Sequence, residues 1–184
     1  MMLESDQIYL RHFQVGDAPI LLKWGKDSYY HKSAGFEQYQ NLEQAQKGAK
    51  QYAMRPNSYV ICLKKNKQVI GLVELYERGM DKQSGLLKTK EIGFLLDKNF
   101  AGHGYMTQAL LVIFDYAFKK LKQTELWAGT FADNIHSQKF LSKLGFRYVY
   151  TVDYRQISHL FLYKEKYYLL KKEDWLKINE NTRS

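Results

Sequence analysis

Two glycines and a histidine stand together where a strand-like run gives way to a helix-like one. Residues 100–110 read FAGHGYMTQAL and closely follow the apolar run EIGFLL. The first turn of a helix leaves backbone N–H groups without acceptors and carries the positive end of the helix dipole, so it attracts phosphate. Glycine lacks a Cβ and lets such a group approach the backbone closely. The segment is therefore either a phosphate-binding loop or a turn that merely requires glycine.

Two well-known phosphate loops are excluded by the residues present. A P-loop requires Gly-x-x-x-x-Gly-Lys-Ser/Thr, and the lysine is missing here. The dinucleotide fingerprint needs a third glycine, and Thr107 stands in its place. That fingerprint also belongs to a parallel βαβ unit, whereas the runs SYVICLKK and QVIGLVELY before the loop predict an antiparallel hairpin.

Segments before the loop alternate between strand and helix patterns. IYLRHF alternates like a strand, and VGDAPILLKW predicts a helix with Asp17 as its cap and Pro19 in its first turn. NLEQAQKGAKQYAM predicts a helix capped by Asn41, with Gln44 three residues later in a capping-box arrangement. The polar stretch 77–88 predicts a loop, and TKEIGFLL predicts the strand that enters the glycine segment.

Segments after the loop continue the alternation. Apolar residues recur at helical spacing at Met106, Ala109, Leu110, Ile113, Ala117 and Leu121. ELWAGTF predicts a strand, and DNIHSQKFLSKLGF predicts a short helix with Asn134 near its start and Gly145 at its end. RYVYTVDYR and HLFLYKEKYYLL predict two long strands, and KKEDWLK a terminal turn or helix. The interleaving favours a mixed α/β class built on one central sheet.

The length and the charge of the chain limit its possible functions but do not identify one. The 184 residues predict one domain over 1–184, and 28 Lys+Arg against 19 Asp+Glu give a net charge of +9 that favours an anionic partner. The N-terminal residues do not resemble a signal peptide, and no apolar run reaches the ~18 residues of a membrane span, so we expect a cytoplasmic protein without a membrane partner. Cys62 is the single cysteine and is interpreted as a structural core thiol.

Two motifs together resemble one enzyme family. The glycine segment and the later DNIHSQKFLSKLGF are similar to the GNAT acetyltransferases, in particular their RimJ/RimL-like branch of ribosomal-protein N-terminal acetyltransferases. The first motif matches at Gly102, Gly104, Tyr105, Thr107, Ala109 and Leu110, and the second at Asn134, Ser137, Leu144, Gly145 and Phe146. The similarity also takes in IYLRHFQVGDAPILLKW, QVIGLVEL and LFLYKEKYYLLKKEDW, so it covers nearly the whole chain.

This resemblance implies a fold and a cofactor. The fold is a single GNAT-like α/β (α+β) domain with a central, mostly antiparallel, splayed sheet flanked by helices, and the cofactor is acetyl-CoA. Backbone groups of Leu95 and Leu96 would pair with the pantetheine arm, Asn134 would reach the cofactor, and Ser137 would lie near its sulfur. The remaining expected contacts belong to the glycine segment: Gly102, His103, Gly104, Tyr105, Met106 and Thr107. His103 faces either a phosphate or the solvent.

The resemblance also suggests catalytic groups. Glu91 matches the position where many members carry the general base, and Glu74 on the neighbouring strand is the alternative. Many members carry a tyrosine that acts as the general acid where this chain has Leu141. Ser137 is therefore the best substitute as proton donor to the leaving thiolate. A base matters more for a lysine-like acceptor, with a pKa of about 10.4, than for an α-amine at about 7.7–8.0.

Several acceptors and functions stay open. The leading hypothesis is transfer to a protein N-terminal α-amine, and the frequency of dimers among the resembled proteins makes a homodimer an expectation. The alternatives are a small amine such as a polyamine, an amino acid derivative or a drug, and a non-catalytic acyl-CoA-binding module. A nucleic-acid binder is weaker because no recognised motif accompanies the positive charge. His12, His31 and His159 have no metal-like spacing with one another or with Cys62, so no metal is expected.

Overall fold

The computed structural model describes residues 3–78, 88–156 and 162–181, which fall into two compact units. Unit 1 comprises Met1–Leu75 and Phe94–Ile113, and unit 2 comprises Tyr76–Gly93 and Phe114–Ser184. Most of the predicted polar loop at 77–88, and His159, lie outside the described residues. No helix among the described residues is long and apolar enough to cross a membrane.

Unit 1 carries the amino-terminal strands and helices. Its strands are hydrogen-bonded in the order β1-β2-β3-β4-β5, and the pairs from β1 to β4 are antiparallel. The strands are β1 (Leu3–Glu4), β2 (Ile8–His12), β3 (Ser58–Leu63), β4 (Val69–Glu77) and β5 (Thr89–Leu96), the last two of which continue in unit 2. The helices are α1 (Ala18–Lys26), α2 (Ser28–Ala34), α3 (Leu42–Met54) and α4 (Tyr105–Asp115), and α4 ends in unit 2.

The core of unit 1 is aromatic and fills the space between its helices and its sheet. Trp24 is fully buried and packs near Tyr30 and Phe36, while Phe13 stacks on Tyr52 at a ring-centroid distance of 4.6 Å. Cys62 is buried in β3, as predicted, and burial raises the pKa of its thiol. This is the environment of an inert structural cysteine rather than of a nucleophile.

Unit 2 carries the remaining strands in the order β5-β6-β8-β7. Its elements are β6 (Glu125–Phe131), α5 (Ile135–Lys143), β7 (Arg147–Asp153), β8 (Lys164–Lys171) and α6 (Lys172–Asn181). The β5–β6 pair is parallel, whereas β6–β8 and β7–β8 are antiparallel. A π-helical turn, Tyr116–Lys120, follows α4. In the core, Phe114 contacts Phe146 and Trp175 at centroid distances of 5.6 and 5.4 Å.

The mixed α/β, mostly antiparallel class is confirmed, but two predicted helix caps differ in detail. Asp17 precedes α1 without capping it; its carboxylate instead accepts two hydrogen bonds from Arg11, at 2.7 and 2.8 Å. Asn41 does cap α3 through the N–H of Gln44, yet the Gln44 side chain accepts from the N–H of Gln40 and not from Asn41. In both cases the side chain accepts from a donor other than the one that the capping motif predicts.

Candidate functional site

The glycine loop, Ala101–Gly104, is followed at once by the first turn of α4. Gly102 and Gly104 have φ values of +81° and +75°, where side chains with a Cβ are strained. A Cβ built at either position would meet no atom within 4 Å, so the backbone here borders open space. The first helical hydrogen bond joins the N–H of Gln108 to the carbonyl of Gly104 at 3.0 Å. The N–H groups of residues 105–107 precede that bond and lie in the turn that attracts anions.

The buried carboxylate of Asp97 fixes the start of this loop. It accepts hydrogen bonds from Lys23 Nζ at 2.6 Å, from Trp24 Nε1 at 3.2 Å and from the N–H of Asn99 at 3.1 Å. Burial alone would raise the pKa of Asp97, but these donors outweigh it, and the pKa is lowered. The Tyr30 hydroxyl accepts from the N–H of Lys98 at 2.9 Å, which holds the short 3₁₀ turn before the loop.

Asp97→Asn should destabilise the protein at neutral pH by about 2 kcal/mol, because hydrogen bonds to a charged group are lost from a buried position. A depressed carboxyl pKa stabilises the fold above the ordinary value of 3.8 and loses that effect as the pH falls through the folded-state pKa. The gap between wild type and variant should therefore close in acid. Thermal unfolding at several pH values measures it, with exposed Asp6→Asn as the control; a pH-independent gap would contradict the assignment.

The beginning of α4 is tied to the amino-terminal strands. Gln108 accepts from the Ser5 hydroxyl at 2.7 Å and donates to the Gln7 side chain at 2.8 Å. Met106 is buried, so its side chain packs inward rather than into the open space beside the glycine loop. His103 is exposed and stacks on Tyr105 at a centroid distance of 5.5 Å, with its Nδ1 2.8 Å from the carbonyl oxygen of Ala101.

The predicted pantetheine residues lie at the end of β5. Leu95 is buried in the core of unit 1, and Leu96 is half-buried. Gly71 lets β4 approach closely there, because a Cβ at Gly71 would lie 2.5 Å from the Leu95 carbonyl oxygen. The β5–β6 ladder consists of Thr89–Glu125, Lys90–Leu126 and Glu91–Trp127. Glu91 is thus the last residue of β5 with a registered partner in β6, and the strand continues to Leu96.

Strand register in unit 2 surrounds Glu91 with aromatic rings and an arginine. Glu91 pairs with Trp127, and Tyr150 pairs with Tyr167. Arg78 lies within this group: its Nη1 is 3.3 Å from Glu91 Oε2, its Nη2 donates to the Tyr150 hydroxyl at 2.6 Å, and its Cζ is 4.0 Å from the centroid of the Trp127 ring. We call Arg78, Glu91, Trp127, Tyr150 and Tyr167 the Glu91 cluster.

The surroundings of Glu91 raise the pKa of its carboxyl group above the value in water. Burial raises the pKa of Glu91, the Arg78 guanidinium partly lowers it, and the Glu165 carboxylate raises it further. Glu165 accepts a hydrogen bond from the Tyr167 hydroxyl at 2.8 Å. Glu91 still keeps 30% of its side-chain surface exposed, so it can exchange a proton with a ligand. A half-buried carboxylate with a raised pKa is suited to general base catalysis near neutrality.

Asn134 and Ser137 form one local structure at the start of α5. Asn134 Oδ1 accepts from the N–H of Ser137 at 3.0 Å and so caps the helix. Gln138 donates to the carbonyls of Phe131 and Ala132 at 3.2 and 3.0 Å, which fixes the turn from β6 into α5. The half-buried Ser137 belongs to unit 2, as Glu91 does, whereas the glycine loop belongs to unit 1.

Glu74, the alternative candidate for the base, and Leu141, at the position of the family's tyrosine, both have structural roles. Glu74 is 2% exposed and accepts from Arg55 at 3.0 and 3.3 Å, so its charge is neutralised inside unit 1. Leu141 is buried in unit 2, as expected of a core residue. Sequence reasoning missed Arg78, Trp127, Tyr150 and Tyr167. The sequence signal for Trp127 was a large aromatic residue in the predicted strand ELWAGTF, where it alternates with the apolar residues Leu126 and Ala128.

Comparisons with known proteins agree on the family. Residues 7–147 match the acetyltransferase (GNAT) domain family. The probable N-acetyltransferase YjcK of Bacillus subtilis is 30% identical over 154 residues, which cover 79% of this chain and 83% of that protein. That the domain extends over the whole of 1–184 stays a prediction.

Two solved structures share the fold at low sequence identity. The ribosomal-protein-S5-alanine acetyltransferase from Vibrio fischeri superposes with a TM-score of 0.73 at 19% identity, covering 95% of this chain and 98% of its own. A spermidine N-acetyltransferase chimera of Vibrio cholerae SpeG and hSSAT gives 0.72 at 16% identity, covering 94% and 99%. At such identities the two structures support the fold alone. With the family match over most of its length, this chain belongs to the GNAT acetyltransferases.

Proposed function

We propose that this chain transfers an acetyl group from acetyl-CoA directly to a primary amine, and that the amine is a protein N-terminal α-amine. The observation that carries the proposal is the half-buried Glu91, whose pKa is raised by burial and which is surrounded by rings that favour cations. An acceptor amine arrives as an ammonium ion, pairs with this carboxylate and gives it a proton. The neutral amine that results is the nucleophile the reaction needs.

The glycine loop fits the pyrophosphate of acetyl-CoA. Two glycines with positive φ border open space that a Cβ would enter, and the first turn of α4 follows directly. The proposed contacts are the backbone groups of residues 102–107, with Leu95 and Leu96 pairing with the pantetheine amides as an added strand would. When bound, acetyl-CoA supplies a thioester whose C–S bond breaks as the amine forms a C–N bond, and the thiolate leaves to become a thiol.

Asn134 and Ser137 have separate proposed roles. The Asn134 carbonyl oxygen holds the helix cap, which orients its amide group at the start of α5. The Ser137 hydroxyl is proposed to donate to the departing thiolate, since Leu141 offers no donor in its place. His103 is proposed to contact the cofactor through its backbone, because its ring is exposed and stacked on Tyr105.

The α-amine acceptor is preferred on chemical grounds and by the motif resemblance. An α-amine has a pKa of about 7.7–8.0 and needs less help from a base than a lysine side chain at about 10.4. The Vibrio fischeri structure, named for acetylation of a ribosomal protein, has the same fold, and the glycine and Asn134 motifs resemble the RimJ/RimL-like branch. Membership of that branch is part of this proposal.

A small-amine acceptor is the second candidate. The observation that favours it is local acidity: Glu91 and Glu165 both influence one cluster in a chain whose net charge is +9. Two carboxylates near aromatic rings would attract a polyamine despite the overall positive charge. A neighbour in fold is named a spermidine N-acetyltransferase, which makes spermidine a reasonable test compound.

Thermal-shift titration followed by an acceptor screen tests the proposal. At about 100 times its dissociation constant a ligand adds roughly 2.7 kcal/mol to stability, so acetyl-CoA should raise the melting temperature while ATP and NAD should not. Release of free thiol is then measured with N-terminal peptides, the same peptides with blocked α-amines, and spermidine. A thiol signal only with free α-amines supports the first acceptor, and one with spermidine alone supports the second. No shift with acetyl-CoA, or an equal shift with ATP, would refute the cofactor assignment.

A further inference from the structure

The side chain of Arg78 places a cation inside the Glu91 cluster. The Arg78 guanidinium carbon lies 4.0 Å from the centroid of Trp127 and 5.4 Å from that of Tyr167. One guanidinium nitrogen donates to the Tyr150 hydroxyl at 2.6 Å, and another faces Glu91 at 3.3 Å. A ring face, a phenol oxygen and a carboxylate around one positive charge are the groups that bind alkylammonium ions as well as guanidinium.

The contact between Arg78 and Glu91 is weak for an arginine–carboxylate pair. It is a single approach at 3.3 Å, beyond the usual 2.7–2.9 Å of charge-assisted hydrogen bonds. Arg11 and Asp17 elsewhere in the chain show the strong form, with two hydrogen bonds at 2.7 and 2.8 Å. Arg78 also keeps 19% of its side-chain surface exposed. Glu91 therefore does not meet the planar fork of the guanidinium with both of its oxygens, and this ion pair is the weaker kind.

The charges around the cluster favour a cation. Glu91 and Glu165 face it with two carboxylates, against the single positive charge of Arg78. Gly129 lies against Glu91 and Tyr167: a Cβ there would be 3.4 Å from Glu91 Oε1 and 3.3 Å from the Tyr167 ring, so glycine lets the strand pass close to both. The phenol of Tyr167 is itself held by hydrogen bonds with Glu165 and Tyr154, at 2.8 Å each. The Tyr167 ring is thus held by contacts that do not involve Arg78 and would stay in place if another cation took the position of the guanidinium.

We propose that Arg78 occupies the subsite for the acceptor's ammonium group, and that an acceptor must displace it before Glu91 can accept a proton. This inference rests on the proposed acetyl transfer and specifies its substrate class. Guanidinium keeps its proton in proteins, so Arg78 can fill the subsite but cannot react in it. Neutral compounds do not compete with a guanidinium for this site. Amines that carry an adjacent carboxylate are repelled by Glu165, which leaves peptide N-termini and aliphatic amines as the class selected.

Direct binding of a simple cation tests the subsite without requiring catalysis. The probe is n-butylammonium, followed by tryptophan fluorescence, with n-butanol as the uncharged analogue. Arg78→Ala should bind n-butylammonium about tenfold more tightly than wild type, because the internal competitor is gone. Arg78→Lys, which keeps a cation, should stay within about threefold of wild type. Trp127→Phe should lose the fluorescence change, because Trp24 and Trp175 are buried elsewhere and do not belong to the cluster.

The matched control is Arg155→Ala, which removes an exposed arginine paired with Asp153 in the same unit and should leave n-butylammonium affinity unchanged. Weaker or unchanged binding by Arg78→Ala would overturn the inference and make Arg78 a support for Glu91. Equal binding of n-butanol would also overturn it, since the subsite would then be apolar rather than cationic.

A kinetic measurement separates this inference from the proposed function. With an active acceptor, Arg78→Ala should lower KM for that amine several-fold, and an unchanged or raised KM would refute the displacement step alone. Absence of acetyl transfer from every enzyme form, together with tighter n-butylammonium binding by Arg78→Ala, would refute the proposed function and leave the cation subsite standing. Loss of both signals would refute both.

Discussion

Glu91→Gln should lower kcat by two to four orders of magnitude, the range that a positioned general base contributes. Glutamine keeps the size of the side chain and can still accept a hydrogen bond from Arg78, but it cannot take a proton from the acceptor. The cluster should therefore stay folded around Trp127, and acetyl-CoA should still raise the melting temperature. Initial rates at saturating acetyl-CoA and acceptor, measured beside the thermal shift, give both quantities from one preparation.

The pH profile supplies a second readout of the same residue. Burial raises the pKa of Glu91, Arg78 partly opposes this, and Glu165 adds to it, so the group titrates above its ordinary value of 4.5. A base works when deprotonated. Activity should therefore be full above the raised pKa and fall as the pH decreases through it, and Glu91→Gln should lose this acidic limb.

The control for Glu91 is an exposed carboxylate of the same unit. Glu173 lies in the first turn of α6, and Glu173→Gln should leave both the rate and the acidic limb as in wild type. A Glu91→Gln enzyme that retains a rate within about threefold of wild type would remove Glu91 from the base role. Because Glu74 is buried against Arg55, such a result would point to solvent as the proton acceptor.

The strands that enter the site could be predicted from the sequence because their signals are local. TKEIGFLL and ELWAGTF coincide with β5 and β6 residue for residue, since each apolar run is bounded by polar residues. The glycine loop could also be predicted, because two positions with positive φ favour glycine. The position of Asn134 at the start of a helix was also predicted correctly, because capping is local and involves only the N–H three residues later.

The Glu91 cluster could not be predicted because its members meet only through strand register. Trp127 and Tyr150 are distant in sequence from Glu91. Trp127 pairs with Glu91 across β5–β6, whereas Tyr150 joins the cluster through its pairing with Tyr167 across β7–β8. The β7–β8 pair also contains a register shift between Tyr148 and Tyr150, which a pattern of alternating residues does not reveal. The helix α2 was missed because DSYYHKSA is short and carries no helical apolar period.

Gly104→Ala should reduce acetyl-CoA affinity by roughly 10- to 100-fold, the loss expected when one backbone hydrogen bond to a charged phosphate fails. Gly104 has φ of +75°, and its Cβ would enter the open space where the pyrophosphate is proposed to lie. An alanine must therefore either shift the loop backbone or intrude on the phosphate. Isothermal titration with acetyl-CoA measures the effect, and the melting temperature without ligand reports the strain separately.

A substitution at a second glycine of unit 1 separates the effect of backbone strain from the loss of a ligand contact. Gly35 caps α2 with φ of +63°, so Gly35→Ala meets the same backbone penalty of about 1–2 kcal/mol at a position outside the glycine loop. A Cβ at Gly16 would meet no atom within 4 Å and its φ is not positive, so Gly16→Ala should be neutral in both measurements. If Gly104→Ala and Gly35→Ala lose stability alike and only Gly104→Ala loses acetyl-CoA, the loop binds the cofactor. Equal affinities in all three variants would mean that the glycines serve the turn alone, because a phosphate held against that backbone could not tolerate the added methyl group.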